Sequence, residues 1–160
     1  MLTKNINFKN FIFKKSKTKI YFLFRKLLKE DNEILNSLKN NYQDSYSKRL
    51  INKFKNFKVI ALIGMGGSIL GSRSIYYFLK DKIKKSFYFI DTFQFESSLL
   101  NKKKLNLIIS KSGNTLETIS NSNFLTNKKD KNILITESKD SYLMKFAKKL
   151  KSEIIHHNNF

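Results

Sequence analysis

A three-layer α/β sandwich, built on a mainly parallel five-stranded sheet and preceded by N-terminal helices, is the fold class this sequence predicts. Three observations lead there. From residue 58 onward, short apolar runs of strand length alternate with longer amphipathic or polar runs. Those short runs are apolar almost throughout, as expected of strands covered on both faces in a parallel sheet. The stretch before residue 58 contains neither Gly nor Pro and shows helical spacing wherever it shows a pattern.

Within that first stretch, Tyr46, Leu50, Phe54 and Phe57 recur at intervals of four, four and three, which draws one apolar stripe on a helix. An aromatic stripe of this kind reads as core. The strands predicted after it are KVIALIG (58–64), SFYFIDT (86–92), LNLIIS (105–110), NILIT (132–136) and SEIIHH (152–157). Helices are expected to begin near Ser68, Phe93, Thr115 and Ser141. The last is the clearest, because Ser141 can cap it and Tyr142, Phe146 and Leu150 repeat every four residues. Alternation of this kind indicates a doubly wound layer structure. The expected organisation is a helical segment over residues 1–57 and one α/β domain over 58–160, since 160 residues suffice for one full core.

Formal net charge is +20, from 32 Lys and Arg against 12 Asp and Glu, and such a balance raises nucleic acid as a partner. The details argue against it. Arg25, Arg49 and Arg73 are the only guanidinium groups, whereas base and phosphate readers lean on Arg forks. The lysines are scattered along the chain, and Lys, Asn, Ile and Phe are abundant as an AT-rich coding sequence would make them. The charge therefore speaks to solubility and non-specific binding. With no Cys, neither a disulfide nor a thiolate metal site is possible. The longest apolar run in the basic first thirty residues, Ile20 to Phe24, is far short of the roughly 20 residues of a membrane span. A soluble, cytoplasmic protein without a membrane partner is expected.

Ligands of open parallel sheets sit beyond the carboxyl ends of the strands. Two strand-to-helix turns there have little side-chain bulk. The first, GMGGSILGS (64–72), carries Gly64, Gly66, Gly67 and Gly71, in a chain with only five glycines. That concentration implies positive φ, a tightly packed turn or close backbone approach by a ligand. It is neither a dinucleotide fingerprint, which needs Gly where Ile69 stands, nor a P-loop, which needs Lys and then Ser or Thr where Ser72 and Arg73 stand. The second turn, SKSGNTLET (110–118), offers the hydroxyls of Ser110, Ser112 and Thr115 around Gly113, at the start of a helix whose unpaired amides and dipole favour an anion. The competing reading is a capping box using Thr115, Thr118 and Glu117. Capping needs one hydroxyl, whereas this turn has three, so a phosphate monoester is the expected guest.

The run Ser110-Lys111-Ser112-Gly113-Asn114-Thr115-Leu116-Glu117-Thr118 resembles the signature of sugar isomerase (SIS) domains, which bind phosphosugars through such a turn. Paired with Gly64-Met65-Gly66-Gly67-Ser68-Ile69-Leu70-Gly71 upstream, it is similar to the phosphoglucose isomerase family in particular, and the likeness runs from about Val59 to the C-terminus. The resemblance implies that Ser110, Ser112 and Thr115 hold the sugar's phosphate, with Lys111 helping through its backbone or charge. It places Gly67 and Ser68 against the sugar and Glu117 just behind, as an orienting group. The implied parent reaction interconverts glucose 6-phosphate and fructose 6-phosphate, in glycolysis and gluconeogenesis, with no cofactor and no metal, in a homodimer.

Aldose–ketose isomerisation also needs a base to carry a proton between adjacent carbons, a ring-opening group and a cation for the enediolate. In the resembled family these lie downstream of the first SIS domain, so no catalytic residue is assigned here. The chain is read as the N-terminal portion of such an enzyme, binding phosphosugar without turning it over. A stand-alone SIS module that senses a phosphosugar is the alternative, and a basic nucleic-acid-binding protein a third. His156 and His157, adjacent on a strand, point to opposite faces and do not suit one metal. Nothing in the spacing of Glu96 and Glu117 brings them together as an acid/base pair.

Overall fold

The structure is a computed structural model that describes residues 18–43, 45–93, 97–127, 130–137 and 139–157. The chain divides into two compact units, with the boundary between residues 44 and 45. In the first, α1 spans Thr18–Leu27 and α2 spans Glu33–Ser37. The Asn32 side chain caps α2 by accepting from the Ile34 amide at 2.9 Å.

The second unit begins with α3 (Lys48–Phe54), capped by Ser47, and then alternates β1 (Val59–Ile63), α4 (Gly67–Leu79), β2 (Ser86–Ile90), β3 (Leu105–Ile109), α5 (Leu116–Leu125), β4 (Lys131–Thr136), α6 (Tyr142–Lys149) and β5 (Glu153–His156). Short 3-10 turns at Lys80–Lys82 and Ser97–Asn101 complete it. All four strand pairings are parallel, in the order β2-β1-β3-β4-β5. This is the predicted five-stranded doubly wound sheet. The helix expected from Phe93 is instead the 3-10 turn at 97–101, which buries Leu99 and half-buries Leu100, and Glu96 lies outside the described residues.

Strand alternation explains the near-continuous apolar runs. Ala61, Ile63, Ile90, Ile108 and Leu134 face one layer and meet Leu125 of α5 with Leu143 and Ala147 of α6. Ile60 and Leu62 face the other and meet Ile69 of α4, while Leu105 and Ile133 on that side meet Phe54 of α3. Every strand is therefore covered twice, which a parallel sheet requires. Phe54, Leu50 and Phe57 pack on the sheet as the stripe predicts, but Tyr46 precedes α3 and is exposed. On α6 the buried face is Leu143, Met144 and Ala147. The predicted stripe of Tyr142 and Phe146 lies one residue round the helix, with its rings stacked 6.4 Å apart.

The amino end of the sheet holds a buried polar cluster. Lys104, fully buried, reaches Asp130 Oδ2 at 3.0 Å, and that oxygen also accepts from Asn106 Nδ2 at 3.3 Å and from the Asn127 amide at 3.2 Å. Asn106 and Asn132, register neighbours on β3 and β4, are bonded at 2.8 Å. Among the described residues no helix is long and apolar enough to cross a membrane.

Candidate functional site

Both predicted turns leave adjacent strands, β1 and β3, at the carboxyl edge of the sheet. The chain turns from β1 towards α4 on one face and from β3 towards α5 on the other. Doubly wound folds bind ligands where connections diverge in this way.

In the first turn the glycines divide by role. Gly64 is buried, and a Cβ there would stand 3.0 Å from the Ile109 carbonyl, so close packing against the end of β3 requires glycine. Gly66 has φ +55 and starts α4 without a side-chain cap. At Gly67 and Gly71 an added Cβ meets no atom within 4 Å. Protein packing therefore does not explain Gly67, which is exposed at the first position of α4 beside half-buried Ser68.

The second turn is held from below by its own hydroxyls. Ser110, only 2% exposed, accepts the Gly113 amide at Oγ (3.1 Å) and lies 3.1 Å from Thr115 Oγ1. Ser112 Oγ, exposed, accepts the Asn114 amide at 3.2 Å. Thr115 is the N-cap residue of α5, yet its side chain makes no capping bond. The capping-box reading thus fails at Thr115, whose hydroxyl faces Ser110. The first amides of α5 keep the positive end of a ten-residue helix.

The turn is also stitched to its neighbours. Gly113, at φ +68, passes so close to Ser141 that a Cβ would lie 2.2 Å from Ser141 Oγ. Its carbonyl accepts the Leu143 amide at 3.1 Å, and Asn114 Oδ1 accepts the Tyr142 amide at 2.9 Å. Ser141, as predicted, caps α6 by accepting the Met144 amide at 3.3 Å. The Lys111 carbonyl accepts from the Glu137 amide and from Thr136 Oγ1, each at 3.2 Å. In a trans peptide the next N–H points opposite the carbonyl, so this anchoring turns the Ser112 amide away from β4.

Ser110, Lys111, Ser112, Thr115 and Glu117 thus occupy a single turn and the first helical turn behind it, with Glu117 half-buried. Chemically the arrangement offers neutral donors and a dipole to an anion of phosphate size. Sequence reasoning missed two participants. Asn114 ties the turn to α6, and Glu137 lies with its Oε1 3.4 Å from Lys111 Nζ and 3.7 Å from His157 Nδ1. The only available signal for Glu137 was its position just past a predicted strand next to that of the turn. His156 aligns with Thr136 in the β4–β5 register, and the next residue, His157, donates its amide to the Thr136 carbonyl. Among the described residues no group of His, Cys, Asp and Glu could hold a metal ion.

Known proteins resemble this chain in sequence and in fold. The chain is 40% identical over 87 residues to the glucose-6-phosphate isomerase of Methanocaldococcus jannaschii, a match covering 49% of this chain and 21% of that protein. It is 41% identical over 76 residues to the glucose-6-phosphate isomerase of Borrelia garinii subsp. bavariensis, covering 40% of this chain and 14% of that one. The match therefore spans about a fifth or less of the length of these relatives. Among solved structures, the NanR protein of Vibrio vulnificus complexed with ManNAc-6P superposes with a TM-score of 0.52 at 22% identity, over 69% of this chain and 41% of that one. The family model described as SIS domain matches residues 53–158, which contain the whole sheet and both turns. The chain belongs to the SIS domain family.

Proposed function

We propose that this chain is the N-terminal part of a glucose-6-phosphate isomerase and supplies the turns that bind the phosphosugar. The observation that carries the reading is the Ser110–Thr115 turn, which brings three hydroxyls to one helix N-terminus, two of them 3.1 Å apart, while the one hydroxyl placed to cap the helix does not do so. Identity of about 40% to proteins named for this activity supports it. In this reading Ser110, Ser112 and Thr115 hold the phosphate, Ser110 from beneath the turn, and Lys111 adds charge. Gly67 and Ser68 face the sugar, and the room at Gly67 is where it approaches. Glu117 orients these groups from the first turn of α5.

The remaining tasks of isomerisation, which are ring opening, proton transfer between adjacent carbons and stabilisation of the enediolate, fall to groups beyond the matched segment of the relatives. The whole protein is read as a homodimeric isomerase interconverting glucose 6-phosphate and fructose 6-phosphate, with this chain by itself binding the sugar without converting it.

A thermal-shift titration with glucose 6-phosphate tests the reading, with inorganic phosphate and Thr115→Ala as controls. Stabilisation that saturates, exceeds that from phosphate and disappears in T115A is expected. An unchanged response in T115A would remove the phosphate from this turn. The phosphosugar-sensing alternative shares the binding step and predicts no isomerase activity even in the longest in-frame protein.

A further inference from the structure

We infer that Glu137 is a positioning residue for the phosphate site, holding the Lys111 ammonium while the turn is empty and yielding it to an arriving phosphate dianion. The inference rests on the phosphosugar reading of the turn and extends it to a residue outside both glycine- and hydroxyl-rich motifs.

Glu137 follows the last residue of β4, at the same edge of the sheet as the turn. It engages Lys111 twice, with its amide on the Lys111 carbonyl at 3.2 Å and its carboxylate 3.4 Å from Nζ. The two partners differ in freedom. The Glu137 side chain is 14% exposed, set between the ends of β4 and β5, whereas that of Lys111 is 74% exposed on a four-carbon stem. The carboxylate is thus the fixed member and the ammonium the one able to swing.

A fixed carboxylate beside an anion site is a rival for the same cation. While the site is empty it neutralises Lys111, and when a phosphate enters, the ammonium can turn to the doubly charged group. Glu137 is not left isolated when the ammonium departs, because the His157 ring also lies beside it, with Nδ1 3.7 Å from the same Oε1. Glu137 therefore lowers affinity for any anion at the turn, and it does so through Lys111.

The test is a double-mutant cycle read by calorimetric titration with glucose 6-phosphate, on the wild-type chain, Glu137→Gln, Lys111→Met and the double variant. E137Q keeps the backbone bond and the side-chain size while removing the charge. Releasing an exposed ion pair predicts about two- to fivefold tighter binding in E137Q. K111M is expected to bind more weakly, and E137Q to have no effect in the K111M background. An equal gain in both backgrounds, or weaker binding in E137Q, overturns the inference. Loss of binding in T115A alongside either result keeps the phosphate reading while the role of Glu137 falls. No binding by the wild-type chain removes both. A second measurement needs no ligand: acylation of Lys111 by acetic anhydride, followed by mass spectrometry, is expected to be faster in E137Q, and equal rates overturn the contact.

Discussion

Gly113→Ala is the substitution for which the structure makes the largest demand. Two costs add. At φ +68 an L-residue pays about 1–2 kcal/mol for the left-handed conformation. The new Cβ would also lie 2.2 Å from Ser141 Oγ and 2.7 Å from Ser141 Cβ. Rotating the Ser141 hydroxyl away removes the first contact but breaks the cap of α6, worth about 1 kcal/mol. The second contact remains whichever rotamer Ser141 adopts, so the turn and α6 must separate, an overpacking cost of about 1–3 kcal/mol. The total, about 3–6 kcal/mol, is a large share of the roughly 5–15 kcal/mol by which a domain of this size is stable. Urea denaturation followed by circular dichroism measures it as a lowered midpoint. Ser141→Gly isolates the steric part, because it removes both clashing atoms and itself costs only a few tenths of a kcal/mol as a cap. In that background G113A should retain only the backbone term, about 1–2 kcal/mol. If G113A alone loses less than about 1 kcal/mol, or if S141G gives no relief, the close approach of turn to α6 is wrong.

Three further substitutions probe separate claims. Gly67→Ala meets no atom within 4 Å and replaces a helical glycine, so thermal stability should hold or rise by up to about 1 kcal/mol while glucose 6-phosphate binding by calorimetry is lost; retained binding would place the sugar elsewhere. Lys151 follows α6 at φ +53, where glycine is the usual residue, and Lys151→Gly should raise stability by about 1 kcal/mol in urea melts. Asp130→Ala leaves the fully buried Lys104 ammonium without its carboxylate and should destabilise by about 3–5 kcal/mol, with recovery when Lys104→Met is added.

The layering was legible because every strand is covered twice and so reads as an apolar run, and because Ser141 marks the start of α6 by a hydroxyl with one evident use. The turn after β3 stood out for the opposite reason, that its hydroxyls exceed what capping can use. What escaped depends on neighbours distant in sequence. LNLIIS hides Asn106, whose side-chain nitrogen finds acceptors in Asn132 and Asp130 on the next strand and its approach. Where a helix was expected from Phe93, Leu99 and Leu100 are the residues of the described part that pack on the core, from a 3-10 turn. On α6, four-residue spacing fits two neighbouring stripes, 142-146 and 143-147, and the sheet buries the second while Phe146 of the first packs at its side.

The two ends of the sheet resolve their polar groups in opposite ways, and this separates stability from function. At the amino end Lys104, Asp130, Asn106 and Asn132 are buried and bonded to one another, so removing one partner strands the rest. At the carboxyl end Ser110 is the deeply buried hydroxyl of the turn's three, while Ser112 and Thr115 stay accessible and Lys111 is paired only at the surface. Groups already satisfied inside the protein have little to offer a ligand. Groups held in place but accessible can exchange a weak internal or water contact for a stronger one to phosphate. The backbone anchors of the turn, from Lys111 to β4 and from Gly113 to α6, supply that fixity without consuming the Thr115 hydroxyl or the first amides of α5. Substitutions at the amino end should therefore move melting temperature, and those at Thr115 or Lys111 should move phosphosugar affinity.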